Sequence, residues 1–301
     1  MVELSNVVKD GKLVPYVEWC RYIDSLKTDV KITDEKEAVR SLLPLFDEAV
    51  KKRLPKKKFG VFFSGGVDST LIAFTCKKFT DNFTCYTVGI EGSKDLAASK
   101  EVAIKLKLDH KSKTLSIEEM EGLFEKTAKI IGPKVINIVN IGVGAVEVAA
   151  IEIAKKDNID MMFSGLGSEE IFAGYQRHEK ASDINEECWN GLKSTWERDF
   201  QRDFKIAVYE KIEALTPFLD KELIIKAMQV DGKLKIYGEH KKYILRKMAV
   251  AAGLPESISF RPKIAAQYGS NFDKAISRIA KSRGYKLKGE YINYLKSLQT
   301  E

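Results

Sequence analysis

The sequence predicts an α/β protein, a parallel twisted sheet with flanking helices followed by a helical C-terminal part. Three observations predict it. Short apolar runs of strand length alternate with runs of helical period between positions 34 and 163, a Gly-Gly turn follows the first apolar run, and beyond Gly174 only helical periods recur. With 301 residues, 44% hydrophobic and 31% charged, with 20 Gly and 7 Pro, the composition is globular and supports a core without disulfide or metal.

Residues 1–33 show no clear period; with Tyr16, Trp19 and Tyr22 they read as a short arm packed on the main body, which occupies 34–301. Glu35, Ala38, Val39, Leu42, Leu43, Phe46 and Val50 follow helical spacing until Pro55 interrupts. The run 59–63 reads as a buried first strand, 68–78 as a helix, 83–88 as a second strand and 95–106 as a helix. A strand at 108–114, helices near 117–131 and 143–156, and a fourth strand at 159–163 continue the pattern. Such alternation implies parallel strands with right-handed crossovers. There the sheet reads as complete, giving a sheet part of about 34–175. The helical part, about 176–301, has helices expected at 187–213, 220–229, 239–252 and 271–282, covering the carboxyl edge of the sheet.

Several function classes are disfavoured early. The longest uncharged run, 135–146, is interrupted by Asn137 and Asn140 and falls short of a membrane span. The start carries no basic and apolar leader, so a cytoplasmic location is expected. Cys20, Cys76, Cys85 and Cys188 form no C-x-x-C pair and read as reduced, mostly buried thiols. The net charge of +7 suits phosphate-bearing substrates without marking a nucleic-acid binder. Six of the eight residues 51–58 are basic, a cluster that reads as a solvated helix end, and RNA is not the expected partner.

Ser64-Gly65-Gly66-Val67-Asp68-Ser69 follows a strand and opens a helix, an arrangement that aims backbone N–H groups and the helix dipole at an anion. Gly65 and Gly66 permit close backbone approach, Ser64 and Ser69 add hydroxyls, and Asp68 is placed to hold magnesium against phosphates. The Walker pattern is absent.

S-G-G-x-D-S resembles the pyrophosphate loop of the N-type ATP pyrophosphatases. Further stretches narrow the resemblance: Gly92-Ser93-Lys94-Asp95-Leu96, Ser164-Gly165-Leu166-Gly167-Ser168-Glu169-Glu170, Pro217-Phe218-Leu219-Asp220, Tyr243-Ile244-Leu245-Arg246-Lys247 and Arg261-Pro262-Lys263. In this order they are similar to the synthetase domain of asparagine synthetase and of β-lactam synthetase, over roughly 34–285. The resemblance implies the adenine nucleotide α-hydrolase-like (HUP) fold and an AMP-forming ATP-dependent amide ligase. It implies ATP and Mg²⁺, a small carboxylate or amine substrate (aspartate among the candidates), and an acyl adenylate formed with release of pyrophosphate. It assigns Ser64, Gly65, Gly66, Asp68 and Ser69 to pyrophosphate, Phe62, Val88, Ser164 and Gly165 to adenosine, Asp68 and Glu169 to magnesium, and Lys263 to the α-phosphate. Asp95 reads chiefly as a helix N-cap, Arg246 and Lys247 as solvated helix charges, and Arg198, Asp199, Arg202 and Asp203 as surface ion pairs. His178, His240 and Cys188 are too isolated to argue for chemistry.

The chain departs from the family pattern at three places. Leu166 stands where the family carries an acid near the acyl centre, so another base is expected, with Glu170 the nearest in sequence, or a nucleophile other than ammonia. Leu215 replaces a usual arginine before Pro217, removing a charge expected to face the acceptor. Val2 occupies the position of the glutaminase cysteine, so ammonia, another amine or an ammonia-donating partner subunit is the expected nitrogen source. An RNA-modifying relative and a non-catalytic nucleotide-binding homologue are the competing readings.

Overall fold

A computed structural model describes residues 7–9, 12–262 and 264–299. A two-stranded hairpin, β1 (Val8–Lys9) and β2 (Lys12–Leu13), precedes helix α1 (Tyr16–Ser25). The main body then alternates α2 (Glu35–Lys51), β3 (Phe59–Phe62), α3 (Val67–Phe79), β4 (Phe83–Ile90), α4 (Lys94–Leu106), β5 (His110–Leu115), α5 (Ile117–Ile131), α6 (Ile138–Lys156) and β6 (Met161–Phe163). Helices α7 (Ser168–Ile171), α8 (Gln176–Glu179) and α9 (Ile184–Thr195) follow, and a π-turn at Trp196–Phe200 leads into α10 (Gln201–Glu210). After β7 (Glu213–Leu215) come α11 (Lys221–Gln229), α12 (Gly232–Lys235), α13 (Tyr243–Ala251), α14 (Glu256–Ser259), α15 (Ala266–Gly269), α16 (Phe272–Ser282) and α17 (Lys288–Ser297).

The central sheet is wholly parallel in the order β5-β4-β3-β6-β7. Strand order therefore reverses direction between β3 and β6, which pair at Gly60↔Met162 and Val61↔Phe163. A crevice opens beyond the carboxyl ends of the strands at such a switch point. Side-chain alternation splits the core into two layers. Phe59, Val61 and Phe63 join one cluster with Phe46, Leu71 and Leu245, while Tyr86, Val88, Ile90 and Met162 join the other with Phe124, Val148 and Ile276. All eight residues of β4 are buried, as a central strand of a two-sided sheet requires.

Two expectations are corrected here. The sheet does not end with the fourth strand of the alternating series: β7 adds a fifth, pairing Phe163↔Leu215. Three residues directly after a helix that ends in left-handed Lys211 carry too little period to be read as a strand. Leu215 is 3% exposed and packs in the core layer, while its neighbours Ala214 and Thr216 line a cavity on the other face of the strand. The N-terminal segment also carries a full helix. Trp19 of α1 is 1% exposed, donates its indole N–H to the Leu192 carbonyl at 2.9 Å and meets Phe200 edge-on at 5.2 Å.

The basic run 51–58 is largely engaged. Arg53 is half-buried and donates to the Ala49 carbonyl and Asp220, Lys52 pairs with Asp220, Lys57 with Asp160 and Lys58 with Asp109. Among the described residues no helix is long and apolar enough to cross a membrane. Cys76, Cys85 and Cys188 are buried free thiols.

Candidate active site

The loop after β3 is built for close approach. Gly65 takes φ +72°, and a β-carbon there would lie 2.8 Å from the backbone of Ala98 and Ser99, so the position tolerates glycine alone. The Ser69 hydroxyl accepts from the Ser64 amide at 3.2 Å and lies 3.3 Å from the Ser64 hydroxyl, closing the turn on itself. Helix α3 starts from Gly66 with no side-chain cap, so its positive end faces the crevice.

A cleft of about 940 Å³ counting its open mouth occupies that crevice. Phe62, Ser64, Asp68, Ser69, Val88, Ser164, Gly165 and Glu169 all line it. Gly66 lines the adjoining groove, which shares Ser64, Asp68, Asp95 and Ile264 with the cleft and continues past Lys94, Arg261 and Pro262. Lys263 lies outside the described residues; its neighbours Pro262 and Ile264 line the groove. Arg246, expected as a solvated charge, is buried and donates to the Ser259 and Arg261 carbonyls at 2.7 and 2.9 Å, fixing the approach to that segment. Lys247 does pair at the surface, with Glu35 at 3.1 Å.

Sequence reading missed Lys242. Its ammonium is 1% exposed, donates to both carboxylate oxygens of Asp68 at 2.8 Å and to Ser168 Oγ at 3.1 Å, and bonds Glu169 Oε1. Burial pulls the Lys242 pKa down, and Asp68 opposes that pull. Left-handed Lys242 (φ 55°) begins α13, a conformation that throws its side chain back under the loops. Glycine at 174 permits the arrangement: a β-carbon there would fall 1.8 Å from Glu169 Oε2 and 2.4 Å from the Lys242 stem.

Asp68 and Glu169, carried after β3 and β6, thus converge on the Lys242 ammonium beside the glycine turn. That donor set fits Mg²⁺, which binds through one or two carboxylates and keeps most of its waters. Among the described residues no group of three or more His, Cys, Asp or Glu is arranged to hold a metal ion.

Asp95 is not the N-cap. Ser93 caps α4, accepting from the Leu96 amide at 3.2 Å, while Asp95 lines both cleft and groove. Burial raises its pKa to about 7. Glu170 lies outside the cleft lining: it is 1% exposed and its carboxylate is held by Arg198, so it is not placed as a free base. Nor do Arg198, Asp199, Arg202 and Asp203 form solvated pairs: Arg198 and Asp203 are half-buried. Asp199 and Arg202 are 8% and 3% exposed, because the π-turn rotates this face inward against α6. Helical spacing alone could not distinguish a buried ion cluster from a solvated one. His178 is buried and neutral, its pKa lowered by burial to about 4, and Nδ1 accepts from the Tyr175 amide at 3.0 Å.

Comparison with known proteins agrees with this geometry. The chain matches the asparagine synthase family over residues 41–188 and 176–286. Asparagine synthetase B [glutamine-hydrolyzing] of Escherichia coli is 30% identical over 277 residues, covering 85% of this chain and 48% of that protein. A Methanocaldococcus jannaschii protein provisionally named asparagine synthetase [glutamine-hydrolyzing] 1 is 31% identical over 295 residues, covering 83% of this chain and 54% of its own length. The chain therefore spans about half the length of the curated relatives it matches. Among solved structures, NMN synthetase from Francisella tularensis aligns at TM-score 0.42 with 14% identity, covering 88% of this chain and 94% of that one, a level from which nothing about activity follows. A family match across most of the sheet and helical parts, at the residues that meet in the cleft, places the chain in the asparagine synthase family.

Proposed function

We propose that this protein is an ATP-dependent, AMP-forming ligase that activates a carboxylate as its acyl adenylate and transfers the acyl group to an amine. The observation that carries the reading is the convergence of the uncapped α3 N-terminus, Asp68, Glu169 and Lys242 at the sheet switch point. The loop 64–69 takes the β- and γ-phosphates, whose charge the helix end and Lys242 offset. Phe62, Val88, Ser164 and Gly165 hold adenosine along the remainder of the cleft. Asp68 and Glu169 hold Mg²⁺, which when bound neutralises charge on the leaving pyrophosphate. The substrate carboxylate oxygen attacks the α-phosphorus, the bond to the bridging oxygen breaks, and pyrophosphate departs with the electron pair. Lys263 is assigned to the charge that develops on the α-phosphate.

Exchange of radiolabelled pyrophosphate into ATP, across a panel of carboxylic acids with and without bulk tRNA, tests this directly. Exchange is expected with one class of acid and no RNA, and Asp68→Asn or Lys242→Met is expected to lower it at least 100-fold. Exchange that needs RNA, or ATP binding with no exchange under any acid, would overturn the reading.

A further inference from the structure

The groove that adjoins the cleft holds about 1120 Å³ counting its open mouth, between the start of α3, the first two turns of α4 and the segment carrying Arg261, Pro262 and Ile264. The glycine turn straddles the two spaces. Ser69 lines the cleft without the groove, Ser64 and Asp68 line both, and Gly66 and Val67 line the groove without the cleft. A polyphosphate that leaves the cleft along the uncapped N-terminus of α3 therefore runs into the groove.

Two cations line it there. Lys94 opens α4, is exposed, and meets no carboxylate among the described residues. Arg261 gives Nη2 to Glu101 at 2.7 Å, whereas its Nη1 is buried with no hydrogen-bond partner. Guanidinium protons removed from water and left unmet are costly, and a guest that brings acceptor oxygens relieves that cost. Three acids also line the groove, and each is offset. Asp68 bonds Lys242, Glu101 bonds Arg261, and burial lifts Asp95 to about 7, so near neutral pH it is charged only in part.

We infer that this groove seats the terminal phosphate of the nucleotide, with the Lys94 ammonium and Arg261 Nη1 as its ligands, and so selects a nucleoside triphosphate over a diphosphate. A terminal phosphate brings three acceptor oxygens, which suit a point charge on a flexible stem beside a guanidinium edge. A diphosphate ends at the glycine turn and leaves both donors unmet. The inference rests on the reading above for the placing of the nucleotide in the cleft, and on the ligase reading only for the use to which the triphosphate is put.

Calorimetric titration of the full chain with ATP, ADP and AMP in magnesium buffer tests it. ATP is expected to bind at least tenfold more tightly than ADP. Lys94→Met, at an exposed position with no ion pair to lose, should bring the two within threefold by weakening ATP alone, while ADP and AMP affinities stay within twofold. Lys94→Arg should restore the preference for ATP, and Arg261→Lys, which keeps the charge but removes Nη1, should reduce it. Equal ATP and ADP affinity in the parent, an unchanged ratio in Lys94→Met, or a loss shared equally by ATP, ADP and AMP would overturn the assignment. Pyrophosphate exchange separates the two readings. Exchange in a parent whose ratio Lys94→Met leaves unchanged sinks the phosphate seat alone, whereas a ratio that collapses in Lys94→Met with no exchange under any acid sinks the ligase reading and leaves a triphosphate site.

Discussion

Asp95 shows how little a residue's local sequence says about its titration. Four residues of helix-start pattern made it a cap, yet Ser93 takes that role and Asp95 turns into the cleft, where burial holds its pKa near 7 against an ordinary 3.8. The proton is retained by the folded chain after the unfolded chain has released it. Stability attributable to this group is therefore complete below about pH 4 and is lost as pH rises towards 7. Asp95→Asn should flatten that loss: between pH 5 and 8 the parent's melting temperature should fall by at least about 4 °C more than the variant's. Equal slopes in scanning calorimetry would show that Asp95 titrates as an exposed carboxylate. Lys242 is the converse case. Nothing in Glu239-His240-Lys241-Lys242 distinguishes it from a surface lysine, and only the fold brings it 174 positions back to Asp68.

At the scale of elements, the two loops flanking the switch point were legible because glycine and small polar residues between a strand and a helix serve few other purposes. Their mutual fit was not. The loop carrying Glu169 closes over Lys242 only because residue 174 lacks a β-carbon. Gly174→Ala should displace Glu169 and the Lys242 stem and cut pyrophosphate exchange at least tenfold; normal exchange in that variant would show that the loop yields without cost. The π-turn ahead of α10 was illegible for a related reason. One extra residue per turn leaves the apolar spacing of 184–210 nearly intact while redirecting Arg202 and Asp203 towards α6. β7 escaped notice because three residues cannot display alternation.

Across the whole molecule, the N-terminal helix belongs to the same packed layer as the sheet. Trp19, Ile23 and Leu26 join a cluster that includes Phe59, Phe172 and Phe200. Trp19→Ala should cost about 3–5 kcal/mol, read as a lower midpoint of one denaturation transition. A separate early transition for the N-terminal segment, with the main midpoint unchanged, would show an independently detachable arm.

The sequence by itself determined the class of fold, the strand–helix order from α2 through β6, and the glycine turn after β3, because each depends on period and on residues within one turn of each other. Tertiary structure decided which charges are buried, where the sheet ends, and which side chains line the cleft at the switch point. Those properties arise between segments far apart along the chain: Lys242 with Asp68, Arg202 with Glu147, Trp19 with Phe200. A local pattern holds no term for the distance between such partners, and burial and charge balance are functions of that distance.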